Sequence, residues 1–507
     1  MADIISPVES ESAKTLKNNV SQGMGLIYGL GMMTFSGFNQ MLTQYWNYFL
    51  TNAVGLDPAV MGSITLFAST AAWFFVIIAA FVVERIWFRW GQYRSYILLA
   101  PPLCLLFILG AWTDWTWLGV QTGSMAQVVL IGGCYLCGQF CINLFMISGT
   151  SLITVASRTE ADRALLSTRK AQGNMAIKVL FAAISLPMIL FFAGMDPMGN
   201  SRPDTVIGYT LTALVWGVVF VGAFVFLFFK FKGMDPTEQF CTARLEAKKR
   251  GEKLTMESSS TQKVGFFNAI KYFFTNIPAL GLWIGEVGRA ICTMTLSGMA
   301  IYYCTAVYND NTLYKGMMTL ANVCGLVGTF AGEQLGKHLG NRMCYFVATV
   351  FAGLAMLAGY FIGSAGQIFF TIVVCASFFG TNMMMSVEFS CMANAITYQE
   401  YKNGETAKAF IMGTIQWCPN IGKMAQGALI GYGLAAIGYS KDAVMTAEMT
   451  QGITFLTFMV PAIVLFVCAA LFFFMHRLTT KDMLEASAAI EARKAENAEE
   501  AKKGTNA

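Results

Sequence analysis

The chain predicts an all-α membrane protein of twelve helices in two six-helix halves joined by a polar linker. Three observations carry this. Of the 507 residues, 56% are hydrophobic and only 12% charged, and the mean hydropathy is +0.55, whereas a soluble domain carries about 25% charged residues. The apolar residues fall into two long blocks, each with room for about six spans of roughly 20 residues. Between the blocks lies 230–263, made basic by Arg244, Lys248, Lys249, Arg250, Lys253 and Lys263. Basic loops of this length stay on the cytoplasmic side of a membrane.

The division that follows is a cytoplasmic N-terminal segment 1–21, a six-helix half 22–230, the basic linker 231–263, a second half 264–476 and a cytoplasmic tail 477–507. Apolar runs set the spans at 22–51, 58–83, 95–113, 124–154, 172–194, 206–230, 277–306, 312–335, 343–362, 366–396, 406–438 and 450–475. Phe266–Phe274, with Lys271 opposite its aromatic side, reads as a short helix lying in the interface, against membrane lipid. Lysine and arginine concentrate at 84–94, 157–170, 230–263, 333–342 and 397–408, while the alternate loops hold Asp57, Asp114, Asp196, Asp204, Asp310 and Asp442. Both termini are therefore expected in the cytoplasm, with the chain multi-pass in the cell's inner membrane. The net charge of +5 follows from this loop bias and points to no nucleic acid. The N-terminus lacks the basic region and cleavage site of a signal peptide.

No nucleotide loop, metal cluster or catalytic triad is visible, so the chain is not expected to be an enzyme, to hold a cofactor or to bind a metal. Cys134 and Cys137 form one CxxC within an apolar helix, where small residues pack. The only histidines, His338 and His476, lie near span ends, which argues against a metal site or an intramembrane histidine relay.

An internal repeat is present. Glu84 is followed by Gly91 and Arg94, and Glu333 by Gly340 and Arg342, each set joining the second span of its half to the third. Matching loops in the two halves point to a duplicated transporter architecture. Glycine permits a tight bend there, and arginine can pair with glutamate or cap helix carbonyls.

Four stretches carry a family likeness: Tyr28-Gly-Leu-Gly31; Glu84-Arg-Ile-Trp-Phe-Arg-Trp-Gly-Gln-Tyr-Arg-Ser-Tyr96; Asp162-Arg-Ala-Leu-Leu-Ser-Thr-Arg169; and Tyr398-Gln-Glu-Tyr-Lys-Asn-Gly404 with Gly427-Ala-Leu-Ile-Gly431 and Ile437-Gly-Tyr439. In order along nearly the whole transmembrane region, they resemble the glycoside–pentoside–hexuronide:cation symporters, the melibiose permease group of the major facilitator superfamily. The resemblance implies a major facilitator fold, alternating access, and a solute site between the halves near mid-membrane. It also implies an aspartate after the Tyr-Gly-Leu-Gly, where this chain has Met32, and two sodium-binding aspartates at Ala72 and Val76. Acids near the end of the tenth span fall at Asn394 and Thr397, and a lysine of the eleventh falls near Asn420, one turn before Lys423. Arg169 matches an arginine that the family uses near its sugar site, and Asn143 lies close to a polar position of the fourth span. None of the ten aspartates lies inside an expected span. A sodium site needs hard oxygen ligands, usually with a carboxylate, so sodium dependence is not expected.

A charge inside a span is costly and functional by default. Glu286 and Arg289 in the seventh span, Glu388 in the tenth and Lys423 in the eleventh are the deepest. Glu286 and Arg289, three apart, can pair on one helix face, either as a self-neutralised pair or as coupling groups. Glu388 and Lys423 can pair between neighbouring spans, or one of them can face a cavity. Glu286, Arg289 and Glu388 are the candidate coupling residues, with a proton as the candidate coupling ion. The candidate solute contacts are Asn39, Gln40, Gln44, Trp46, Asn143, Arg169, Gln416, Trp417, Asn420 and Lys423. Polar groups placed in spans need a cavity or a partner, and aromatic faces stack on flat rings. The expected function is secondary active, symporter-like transport of a small organic solute, a glycoside or a less polar compound, by alternating access and without sodium. The alternative is a transport-inactive sensor or assembly partner on a transporter fold, which the lost coupling residues also fit.

Overall fold

An apolar run in lipid must satisfy its own backbone, and a helix does so within one segment. A computed structural model bears this out along the chain. It describes residues 20–86, 88–91, 93–156, 160–233, 238, 266–403, 411–412, 414–440, 445–478, 485–486 and 489. Among them the regular structure is helical, apart from an isolated bridge between Phe88 and Gly91.

The helices are α1 Gln22–Gln44, α2 Pro58–Arg85, α3 Arg94–Ala111, α4 Met125–Ala156, α5 Glu160–Phe192, α6 Val206–Lys230, α7 Phe266–Thr275, α8 Ile277–Tyr302, α9 Asn311–Leu339, α10 Asn341–Ile362, α11 Gln367–Asn403, α12 Cys418–Ala436, α13 Ala447–Thr454 and α14 Val460–Met475. Short π turns at Phe49–Ala53 and Tyr303–Val307 follow α1 and α8, and a third at Phe455–Met459 joins α13 to α14. Nine described segments are long and apolar enough to cross a membrane. The more polar α1, α9 and α12 stand where the first, eighth and eleventh spans are expected. Two helices outrun their apolar stretches: α5 begins at Glu160 rather than 172, and α11 runs to Asn403 rather than 396. Hydropathy marks where a helix leaves apolar surroundings, whereas the backbone can stay helical beyond that point.

Caps and prolines fix several starts. Ser21 Oγ accepts from Met24 N (3.2 Å) and Thr446 Oγ1 from Met449 N (3.2 Å). Asn276 Oδ1 accepts from Ala279 N (3.1 Å), and its amide donates to Ala395 O (3.0 Å) and Gln399 Oε1 (3.1 Å), so one residue both starts α8 and ties it to α11.

Packing divides the chain into two units, residues up to 56 with 70–257, and 57–69 with 258 onward. In the first, α1 packs on α5 and α6, and α3 on α4 and α6; in the second, α8 packs on α12 and α14, and α10 on α11 and α14. These four pairings recur at matching spans of the two units.

The repeat extends to single bonds. Gly91 and Gly340 have φ of 102° and 81°, a backbone state that glycine adopts without strain. Arg94 Nε donates to Phe228 O (2.9 Å) at the end of α6, with the guanidinium 4.2 Å from the Phe228 ring centre. Arg342 donates to Phe473 O (3.2 Å) near the end of α14 and lies 5.4 Å from that ring. Each arginine thus binds a carbonyl near the end of the last helix of its own unit. Arg94 is also joined to Glu238 (2.7 Å), and Glu333 bonds to Lys337 (2.7 Å) rather than to an arginine.

The π turns repeat as well. Val54 N bonds to Phe49 O and Leu56 N to Leu50 O; 254 residues later Tyr308 N bonds to Tyr303 O and Asp310 N to Cys304 O. Thr51 and Thr305 each donate back to the fourth and third preceding carbonyls.

Candidate functional site

In the second unit, α8 turns Glu286 and Arg289 to one face, as their spacing of three dictates. Arg289 Nε donates to Glu286 Oε2 at 2.7 Å, and its terminal nitrogen reaches Glu388 Oε2, supplied by α11, at 3.1 Å. The Tyr345 hydroxyl, from α10, donates to Glu286 Oε1 at 2.8 Å. Glu286 is 0% exposed and Glu388 3%. Gly285 makes the space, since a Cβ there would stand 2.7 Å from the Tyr345 oxygen. One guanidinium therefore serves two buried carboxyl groups. A planar fork with five donors suits that task better than a point charge does.

This corrects the pairing weighed for Glu388. Its cation is Arg289, not Lys423, because α8 and α11 pack together and the guanidinium spans both acids. Lys423 lies half-buried on α12 and forms no ion pair or hydrogen bond among the described residues. Asn420 stands half-buried one turn earlier on the same helix, and Trp417 ends the short turn Ile415–Trp417 that leads into it. Gln416 belongs to that turn, and its side chain lies outside the described residues.

In the first unit the candidates separate into two groups. Asn39, Gln40 and Gln44 share the later part of α1, where Gln44 Nε2 donates to Gln40 Oε1 (3.2 Å) and Asn39 Oδ1 is buried with no hydrogen-bond partner among the described residues. Trp46, 1% exposed, is stacked on Tyr135 (4.3 Å) and edge-on to Trp112 (5.5 Å), an aromatic packed within the bundle. The Tyr28 hydroxyl bonds to Gly149 O (2.8 Å), so α4 runs antiparallel to α1 and Asn143 stands level with the middle of α1. Its amide donates to Gln139 O (2.9 Å). Arg169 stands apart. It donates to Gln172 Oε1 (3.0 Å) and to Gln22 Oε1 (3.2 Å), the first residue of α1. Asn39 is 17 residues further along, roughly 25 Å at a helical rise of 1.5 Å.

Two functional candidates escaped sequence reasoning. Tyr345 sits in an apolar stretch of α10 and looks there like any packing aromatic. Asn174 of α5 accepts from Ser36 of α1 at 2.5 Å, and an asparagine inside a span was the available signal.

The model of MFS/sugar transport proteins matches residues 27–479. The chain belongs to this family. Among its relatives is a putative sulfoquinovose importer of Escherichia coli (strain K12), 25% identical over 474 residues, with 92% of each chain covered. A glucuronide carrier protein homolog of the same strain is 23% identical over 461 residues, covering 88% of this chain and 90% of that one. Among solved structures, a D-xylose–proton symporter superposes with TM-score 0.60 at 11% identity, over 90% of this chain and 96% of its own. That likeness speaks for the fold, the major facilitator one. As an MFS/sugar transport protein the chain is a multi-pass membrane transporter of a small organic solute, not an enzyme.

Proposed function

We propose that this chain is a proton-driven, sodium-independent carrier of a small organic anion of the sugar-acid class. In this reading two six-helix halves alternate access, with both termini and the 231–263 linker on the cytoplasmic face of the cell's inner membrane.

The observation that carries the reading is the charge inventory of the spans in the second unit. Two carboxyl groups share one guanidinium, and one ammonium, Lys423, has no partner among the described residues. An uncompensated carboxylate in apolar surroundings is costly, and a proton is the simplest neutraliser. An unpaired ammonium is costly too, and an anionic solute would neutralise it. The printed substrates of two relatives, a sulfoquinovose and a glucuronide, fit an anion, while another is named for isoprimeverose. At the positions where the resemblance implies sodium ligands stand Ala72, which is buried, and Val76, neither with a side-chain oxygen. Gln416, Trp417, Asn420 and Lys423 in the second unit, and Asn39, Gln40, Gln44, Trp46, Asn143 and Arg169 in the first, are the proposed solute contacts.

The test is initial uptake into proteoliposomes of a glucuronide, a sugar sulfonate and a neutral glycoside. Sodium, potassium or choline is placed outside, with and without an imposed pH gradient. The expected result is gradient-driven uptake of the acidic sugars, indifferent to the alkali cation and reduced at least tenfold by Lys423→Ala. A saturable sodium requirement, or equal uptake of the neutral glycoside, would overturn it.

A further inference from the structure

The two glutamates are not equivalent. Both oxygens of Glu286 are engaged, Oε1 by the Tyr345 hydroxyl and Oε2 by Arg289. Glu388 receives a single guanidinium bond at the longer distance of 3.1 Å. Both carboxyl groups are held by the same guanidinium nitrogen, Glu286 at 2.6 Å and Glu388 at 3.1 Å, so one cation faces two buried acids. Resting on the proton-driven reading above, we propose that Tyr345 is a positioning residue that assigns the coupling proton to Glu388. A hydroxyl donating to Glu286 stabilises its ionised form, so the proton goes to the less engaged carboxyl. The proton comes from water as H+, adds to a Glu388 oxygen, and leaves from that oxygen to water on the other side.

The surroundings leave few competitors. From α8 the charged groups are Glu286 and Arg289; from α10 the titratable groups are Tyr345 and Cys344, from α11 itself Cys391, and from α12 Cys418. On α9, which also packs against α11, Glu333 is exposed and bonded to Lys337, and Cys324 faces Cys375. Tyr345 is held for its role. It is wholly buried, its ring lies 4.5 Å from that of Phe472, and Gly285 leaves room for its oxygen.

The experiment compares wild type, Tyr345→Phe, Glu286→Asp, Glu388→Asp and the two Tyr345→Phe/Glu→Asp doubles. Infrared difference spectra across pH report the protonated-carboxyl C=O stretch, which an aspartate in place of a glutamate displaces without removing charge. The pH profile of gradient-driven uptake is measured on the same proteins, and solute counterflow serves as the check that each variant is folded. In the Tyr345 wild-type background the band should move with Glu388→Asp and stay put with Glu286→Asp. Tyr345→Phe keeps the ring. It should leave counterflow within about twofold, make the band sensitive to Glu286→Asp, and raise the midpoint of driven uptake by about one pH unit. Absence of any carboxyl band and of gradient-driven uptake in wild type would remove both the proton-driven reading and this inference. A wild-type band that moves with Glu286→Asp, or one assigned to Glu388 and unchanged by Tyr345→Phe, would overturn the inference alone. Loss of counterflow in Tyr345→Phe would overturn it as well, by making the hydroxyl structural.

Discussion

Arg289 is the residue on which the second unit's charges depend. Removing one partner of a buried ion pair leaves the others uncompensated, which typically costs about 3–5 kcal/mol. Arg289→Ala should therefore lower thermal stability in detergent by that order, and adding Glu286→Gln and Glu388→Gln should restore most of it. A triple variant no more stable than the single one would mean that Arg289 acts through packing alone. Arg169 is weighed differently. Its fork is divided between Gln22 and Gln172, and Arg169→Lys retains the charge but loses that geometry. Strongly reduced uptake at normal expression is expected; unchanged uptake would leave Arg169 only a structural tie between α5 and α1. Legibility at this scale was uneven. The pairing of Glu286 with Arg289 could be read from their spacing, because helix periodicity brings residues three apart together. The partner of Glu388 could not, because which of two cations it meets depends on how α8, α11 and α12 pack. Tyr345 could not be read at all, because a phenol that bonds a carboxylate and one that fills space look alike in a sequence.

At the scale of elements, the connections between helices carry much of the order. The repeated arginines differ in burial: Arg94 is 2% exposed and bound to both Phe228 O and Glu238, while the Arg342 bond to Phe473 O is exposed. Arg94→Lys should cost about 1.5–3 kcal/mol, the range for hydrogen bonds to a charged group, and Arg342→Lys under about 1 kcal/mol. Thermal unfolding of the two variants side by side measures this, and equal losses would contradict it. A second measurement concerns His476, just past α14. Its Nδ1–H donates to Pro278 O at 2.8 Å, and its ring stacks on Phe472 at 5.0 Å. Burial, with Arg342 nearby, pushes its pKa down from 6.5 to about 4. The fold thus favours the neutral ring. Its stability is complete above about pH 6.5 and is lost as pH falls toward 4, by about 3 kcal/mol in all. His476→Gln should flatten the fall in melting temperature between pH 7 and pH 4. A wild-type slope in the variant would assign that fall to other groups. Here hydropathy located the helices because lipid imposes their length, but it could not locate the π turns, which arise from backbone bonding within an unbroken apolar run.

At the scale of the molecule, the two units share four helix pairings, and the proposed orientation can be tested directly. In a variant free of native cysteines, a single cysteine in 231–263 should resist an impermeant thiol reagent added to intact cells, and labelling from outside would invert the topology. The family and the repeat were legible because glycine turns and loop arginines leave sequence signatures. The solute is less so, since the proposed contacts come from helices far apart in the chain. The matched π turns add a ruler that neither the loops nor the spans provide. With Phe49 set against Tyr303, Gly31 falls on Gly285, and Met32 falls on Glu286. Met32 is where the family likeness implies an aspartate. The acid that the likeness implies in the first half is absent at Met32, and an acid, Glu286, stands at the matching address in the second.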